Sequence, residues 1–144
     1  MKNPRKAEQG WRLLDHTADL RIEVYGASRE ELMLNAAAAL ARVLDPEPEN
    51  PPDRELDIVL EGEVGEELLV DWLREILFQS ETRGFVLVKA EIVELAGSAL
   101  KARLLGVTRP PDTRPAEEIK GVTYHGLSIE ETEAGYVARI VFDI

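Results

Sequence analysis

The sequence contains no cysteine. Disulfides, thiolate catalysis and cysteine-held zinc or iron–sulfur centres are therefore excluded. Side-chain amides are scarce, with only Asn3, Asn35, Asn50, Gln9 and Gln79, and Arg outnumbers Lys 12 to 5. Scarcity of labile residues fits a source that grows hot. No apolar run approaches the roughly 20 residues of a membrane-spanning helix. Met1 to Gly10 is polar and lacks the apolar core of a signal peptide, so no membrane association is expected and a cytoplasmic location is the default. The common catalytic signatures are missing as well. There is no Gly-x-Ser-x-Gly, no His-Glu-x-x-His and no dinucleotide fingerprint. Gly62-Glu63-Val64-Gly65 lacks the Lys-Ser/Thr that a phosphate loop requires.

What remains is one domain's worth of chain, 144 residues and 16.1 kDa, long enough to bury a core without staples. Apolar residues make up 44% and charged residues 31%, the balance of a soluble globular protein. The net charge is -11, and no window gathers Lys and Arg into a patch. Phosphate backbones would meet overall repulsion, so tight direct nucleic-acid binding is not expected. The acidity fits a partner with a basic surface, or a cation.

Trp11 to Asp15 and Leu20 to Gly26 read as strands, the second because Leu20, Ile22 and Val24 alternate with polar residues. Ser28 to Glu31 is a capping-box sequence that opens a helix through Leu32, Ala36, Leu40 and Val43. Asp45-Pro46 stops it, and the proline-rich stretch from Pro46 to Asp53 is a surface loop. Leu56, Ile58 and Leu60 mark a further strand. Glu66 to Thr82 carries the wide apolar stripe of a second helix, and Gly84 ends it. Four strands follow: Phe85 to Leu95, Ala99 to Thr108, Val122 to Thr132 and Tyr136 to Asp143. Short turns join the first pair and the last pair, and a proline-rich loop from Arg109 to Pro115 lies between. This order predicts an α+β fold, with two helices packed against a mixed, largely antiparallel sheet in a single compact domain at residues 11–144. Residues 1–10 are expected to be a flexible tail.

Three places hold polar chemistry. Asp15-His16-Thr17-Ala18-Asp19 puts two acids and an imidazole on one turn, where they either ligate a hard cation or stabilise the turn through Asx-type bonds. Asp143, with the α-carboxylate of Ile144, supplies oxygen donors at the end of an apolar strand, or else an edge acid facing water. Lys120, Thr123, Tyr124 and His125 enter the penultimate strand. His125 has the chemistry of a general base, but two histidines are too few to specify a catalytic arrangement.

Together these pieces resemble the archease family. The resemblance runs through Asp15-His16-Thr17-Ala18-Asp19, Gly26 to Leu32, Leu68 to Leu77, Glu118 to His125 and the terminal Ile140-Val141-Phe142-Asp143-Ile144. Gly121 departs from it, standing where the family more often has Ala. The resemblance implies an accessory protein, not itself an enzyme. It would promote guanylylation and multiple turnover of an RtcB-type RNA ligase in tRNA splicing and RNA repair. It also implies a metal site at Asp19, Asp143 and Ile144, usually assigned to calcium, although oxygen donors suit magnesium and manganese too. Asp15, His16, Glu118, Lys120 and His125 are further functional candidates. An alternative partner is a tRNA-modifying methyltransferase, which the protein would serve as chaperone or modulator. A third reading is a metal-dependent phosphodiesterase built on Asp19, Asp143 and His125.

Overall fold

A computed structural model describes residues 9–16, 18–63 and 65–144, excepting the side chains of Asp15 and His16. Most of the expected tail, and Thr17 and Val64, lie outside the described residues. Gly10 is buried, and its carbonyl accepts from the Tyr25 N–H at 2.8 Å.

The elements in chain order are β1 (Trp11–His16), β2 (Leu20–Gly26), α1 (Arg29–Leu44), β3 (Arg54–Glu61), α2 (Glu66–Arg83), β4 (Phe85–Ala96), β5 (Ala99–Thr108), β6 (Gly121–Thr132) and β7 (Gly135–Asp143). The capping box forms: the Glu31 N–H donates to Ser28 Oγ at 3.1 Å. Glu31 Oε1 in turn accepts from the Ala27 N–H, one residue before the N-cap. At the far end of α2, Gly84 takes the left-handed conformation at φ 59° that closes a helix without a Cβ penalty.

The α+β class holds, but the strands divide between two sheets where one was expected. One sheet runs β1-β2-β7-β6 and the other β3-β5-β4, and every pairing is antiparallel. Each helix packs on strands of both sheets, α1 on β2 and β4, α2 on β6 and β4. That placement explains why α1 buries Ala36, Ala37, Ala39 and Ala41 beside its leucines: small side chains let backbone come close on more than one side. Trp72 of α2 is fully buried, and its indole N–H donates to the Met33 carbonyl at 2.9 Å, tying the helices together. Burying such a ring is worth about 3–5 kcal/mol, judged by the usual cost of deleting one.

The two helices end on the same side of the molecule. Arg109, just after β5, links their last turns. Its guanidinium donates to Asp45, the C-cap of α1, with Nη2 at 2.8 Å from Oδ2. It also reaches the Ser80 carbonyl at 3.3 Å and Ser80 Oγ at 3.1 Å. The Ala116 N–H donates to the Leu44 carbonyl, so the proline-rich segment after Arg109 straps across the same end.

Candidate functional site: a carboxylate end of the four-stranded sheet

Register places the acids. β2 and β7 pair antiparallel with Leu20 opposite Phe142. Both residues are buried, so the next position outward sets Asp19 across from Asp143 on the face away from the core. Asp143 is also the partner of Gly121, and its carbonyl accepts from the Lys120 N–H at 2.7 Å. The first bend of the chain, the end of β7 and the start of β6 therefore meet at one edge. Ile144 is partly buried and packs on the core, which holds the last residue in place.

Asp19 is not alone there. Arg21 Nε donates to its Oδ1 at 3.0 Å, from two residues along the same strand face. Asp15 is the backbone partner of Arg21, and His16 of Leu20, after a register shift in β1. Those two candidates thus share the strand pair with Asp19, although their side chains lie outside the described residues. Among the described residues, no three His, Asp or Glu side chains gather as a metal centre. A cation here would therefore need Asp19 and Asp143 together with the Ile144 carboxylate, backbone carbonyls, or groups of the Asp15–Thr17 stretch. Oxygen donors of this kind fit a hard cation.

Lys120 and Asp143 line one wall of a groove of about 440 Å³ whose other wall is α2, through Arg74, Leu77, Phe78 and Glu81. Arg74 bridges the walls. It donates to the Val122 carbonyl at 3.1 Å and lies over the Tyr124 ring, 5.4 Å from its centroid. Phe78, one turn on, is half exposed. Sequence reasoning missed Arg21, Arg74 and Phe78. The i,i+4 spacing of Arg74 and Phe78 was a readable signal, as was Arg21 two residues from Asp19 on a strand.

The other candidates lie elsewhere. Glu118 is exposed and faces a separate hollow beside the end of α2. His125 is exposed on β6, inside the stretch between Thr123 and Ser128 where the pairing with β7 breaks, and Gly126 there has φ 77°. Its backbone N–H donates to Thr123 Oγ1. The imidazole does not line the groove that holds Lys120 and Asp143. A Cβ added at Gly121 would meet nothing within 4 Å, so Ala fits at this position.

Comparison with known proteins supports the same assignment. Residues 11–144 match the Archease protein family (MTH1598/TM1083). The chain is 36% identical to Protein archease of Methanosarcina mazei over 136 residues, covering 91% of this chain and 93% of that protein. It is 34% identical to Protein archease of Methanopyrus kandleri over 138 residues, covering 93% and 99%. The solution structure of protein 1598 from Methanobacterium thermoautotrophicum superposes with a TM-score of 0.75 at 28% identity, covering 94% of this chain and 99% of that one. The crystal structure of an archease from Thermotoga maritima, described as a possible chaperone, gives 0.61 at 25% identity, covering 100% and 98%. With the match running from the first strand to the last residue, this chain belongs to the archease family.

Proposed function

We propose that this protein is an accessory factor that promotes guanylylation and turnover of an RtcB-type RNA ligase, acting through the carboxylate end of its four-stranded sheet with a divalent cation, calcium for preference. The observation that carries the reading is the β2–β7 register, which faces Asp19 with Asp143 beside Ile144. Carboxylates held this close repel one another unless a positive charge neutralises them. Arg21 supplies part of that charge to Asp19 now. A bound divalent cation would supply the rest, and would leave the end less negative for its approach to an active site. Asp19 and Asp143 hold and orient, while Lys120 is fixed beside them through its backbone bond to Asp143. An acidic protein is steered toward a basic RNA-binding surface. Overlap with that surface would oblige it to leave before RNA enters.

The phosphodiesterase alternative needs His125 beside the two acids, and the break in β6 sets it apart from them. A ligase guanylylation assay with and without this protein tests the lead reading. Asp19→Ala and Asp143→Ala should abolish stimulation while the fold persists. One Gly added after Ile144 keeps the Ile144 side chain but moves the carboxylate, and should do the same. Full stimulation by all three variants would end the proposal.

A further inference from the structure

A second surface lies beside the carboxylate end and has its own chemistry. The last turns of α2 and the strap at residues 109–119 enclose a hollow of about 660 Å³. Its floor is apolar, with Leu44, Leu77 and Ile119. Leu77 and Glu81 line both this hollow and the groove that reaches Asp143, so the two run on as one channel along α2. Pro110, Pro111 and Pro115 stiffen the outer wall, because each fixes its own φ. A wall stiff before binding lowers the ordering cost of an occupant.

The rim is acidic. Glu81, Asp112 and Glu118 line the hollow and are exposed, and none of them makes an ion pair among the described residues. Arg109, the buried cation at this end, is committed to Asp45 and Ser80. Elsewhere the molecule pairs its acids: Arg103 holds Glu55 and Asp57, and Lys101 holds Glu94.

We infer that this channel is a docking groove for an extended, basic segment of a partner protein, with Lys or Arg side chains against Glu81, Asp112 and Glu118 and apolar residues on the Leu44–Leu77–Ile119 floor. Nucleic acid is disfavoured, because its phosphates would face the carboxylate rim. A lone metal ion would not use the apolar floor. The inference deepens the accessory-protein reading and rests on it for the existence of a protein partner, while the groove itself is testable without the ligase.

The probe is a fluorescein-labelled peptide of four Arg-Leu-Gly repeats, followed by anisotropy and by amide shifts of the full chain. Binding should perturb residues 77–84 and 109–120. The double variant Glu81→Lys/Asp112→Asn should weaken it about tenfold or more. Glu91→Lys/Glu133→Gln makes the same change in net charge away from the groove, and should alter it by less than about twofold. Equal weakening in both variants, perturbation spread elsewhere, or no binding would each overturn the groove. In the ligase assay, Glu81→Lys/Asp112→Asn should raise the concentration for half-maximal stimulation about tenfold and leave the maximum intact. An unchanged half-maximal concentration would also count against the groove. Absence of stimulation by the unaltered protein would strike the ligase reading instead, with the peptide result still deciding the groove.

Discussion

The outer face of the three-stranded sheet and the carboxylate end of the four-stranded sheet are both rich in acids, but they treat them differently. On the first, Arg103 lies 2.7 Å from Glu55 and 3.3 Å from Asp57, directly across the β3–β5 pairing. These groups neutralise one another in open solvent, where such pairs contribute little. At the other end, Asp19 and Asp143 share a face with Arg21 bonded to Asp19, and the rim acids of the neighbouring hollow go without a cation. A surface that balances its own charge has no need of a partner. A surface held rigidly with its charge unbalanced is suited to binding something positive.

That contrast depends on the fold keeping the carboxylate end rigid, and Arg109 is where it can be broken most directly. Its side chain is 9% exposed and that of Asp45 is 17% exposed. Arg109→Ala leaves Asp45 half-buried without its partner and unties both helix ends. The expected loss is about 3 kcal/mol in urea unfolding, near the low end for breaking a buried pair. Arg103→Ala, its counterpart on the open sheet, should leave the urea midpoint unmoved. Equal midpoint shifts for the two would erase the distinction between the surfaces.

A cation gives the next largest effect. At a calcium concentration about 100 times its dissociation constant, the folded state should gain about 2.7 kcal/mol, and a chelator should reverse the gain. Asp143→Ala should remove the gain altogether. A gain of the same size in Asp143→Ala would place the bound ion elsewhere.

How far the sequence anticipates this arrangement follows from which interactions are local. The alternation of Leu20, Ile22 and Val24 fixes which face of β2 is buried, and the Ser28–Glu31 box fixes where α1 begins, because both depend on neighbours a few residues away. Alternation marks a face but not the strand beside it. Two sheets and one therefore look alike in sequence, and only the pairings reveal the division. The bond from Arg109 to Asp45 has no local signature, since the two lie on separate loops joined only by packing. The same holds for Asp19 and Asp143. Each is a plain acid in its own segment, and their meeting was legible only through the resemblance of the whole chain to a family. His125 shows the opposite failure. Its neighbours in sequence suggest a cluster with Lys120, but the kink at Gly126 and the loss of register carry it away.

Arg21 allows the comparison to be sharpened. It is the cation that makes the carboxylate end resemble, in part, the self-balanced sheet. Arg21→Ala should tighten calcium binding several-fold, roughly 1 kcal/mol, because a competing positive charge near Asp19 is removed. Isothermal titration beside the unaltered protein checks this. Weaker binding would show that Arg21 orients Asp19 for the cation instead of competing with it.

The smallest expected effect separates backbone from carboxylate at this end. Gly121 is the β6 partner of Asp143, yet a Cβ built on it would stand in open space. Gly121→Ala should therefore raise stability by about 0.5 kcal/mol, chiefly by restricting the unfolded chain. Calcium affinity and ligase stimulation should not change, because no charged group moves. Urea unfolding and the guanylylation assay read the two halves of this expectation separately. Lost stimulation with unchanged stability would show that the partner approaches the β6 backbone itself at Gly121, closely enough for one methyl group to block it, so that the acids alone would not account for what the end recognises.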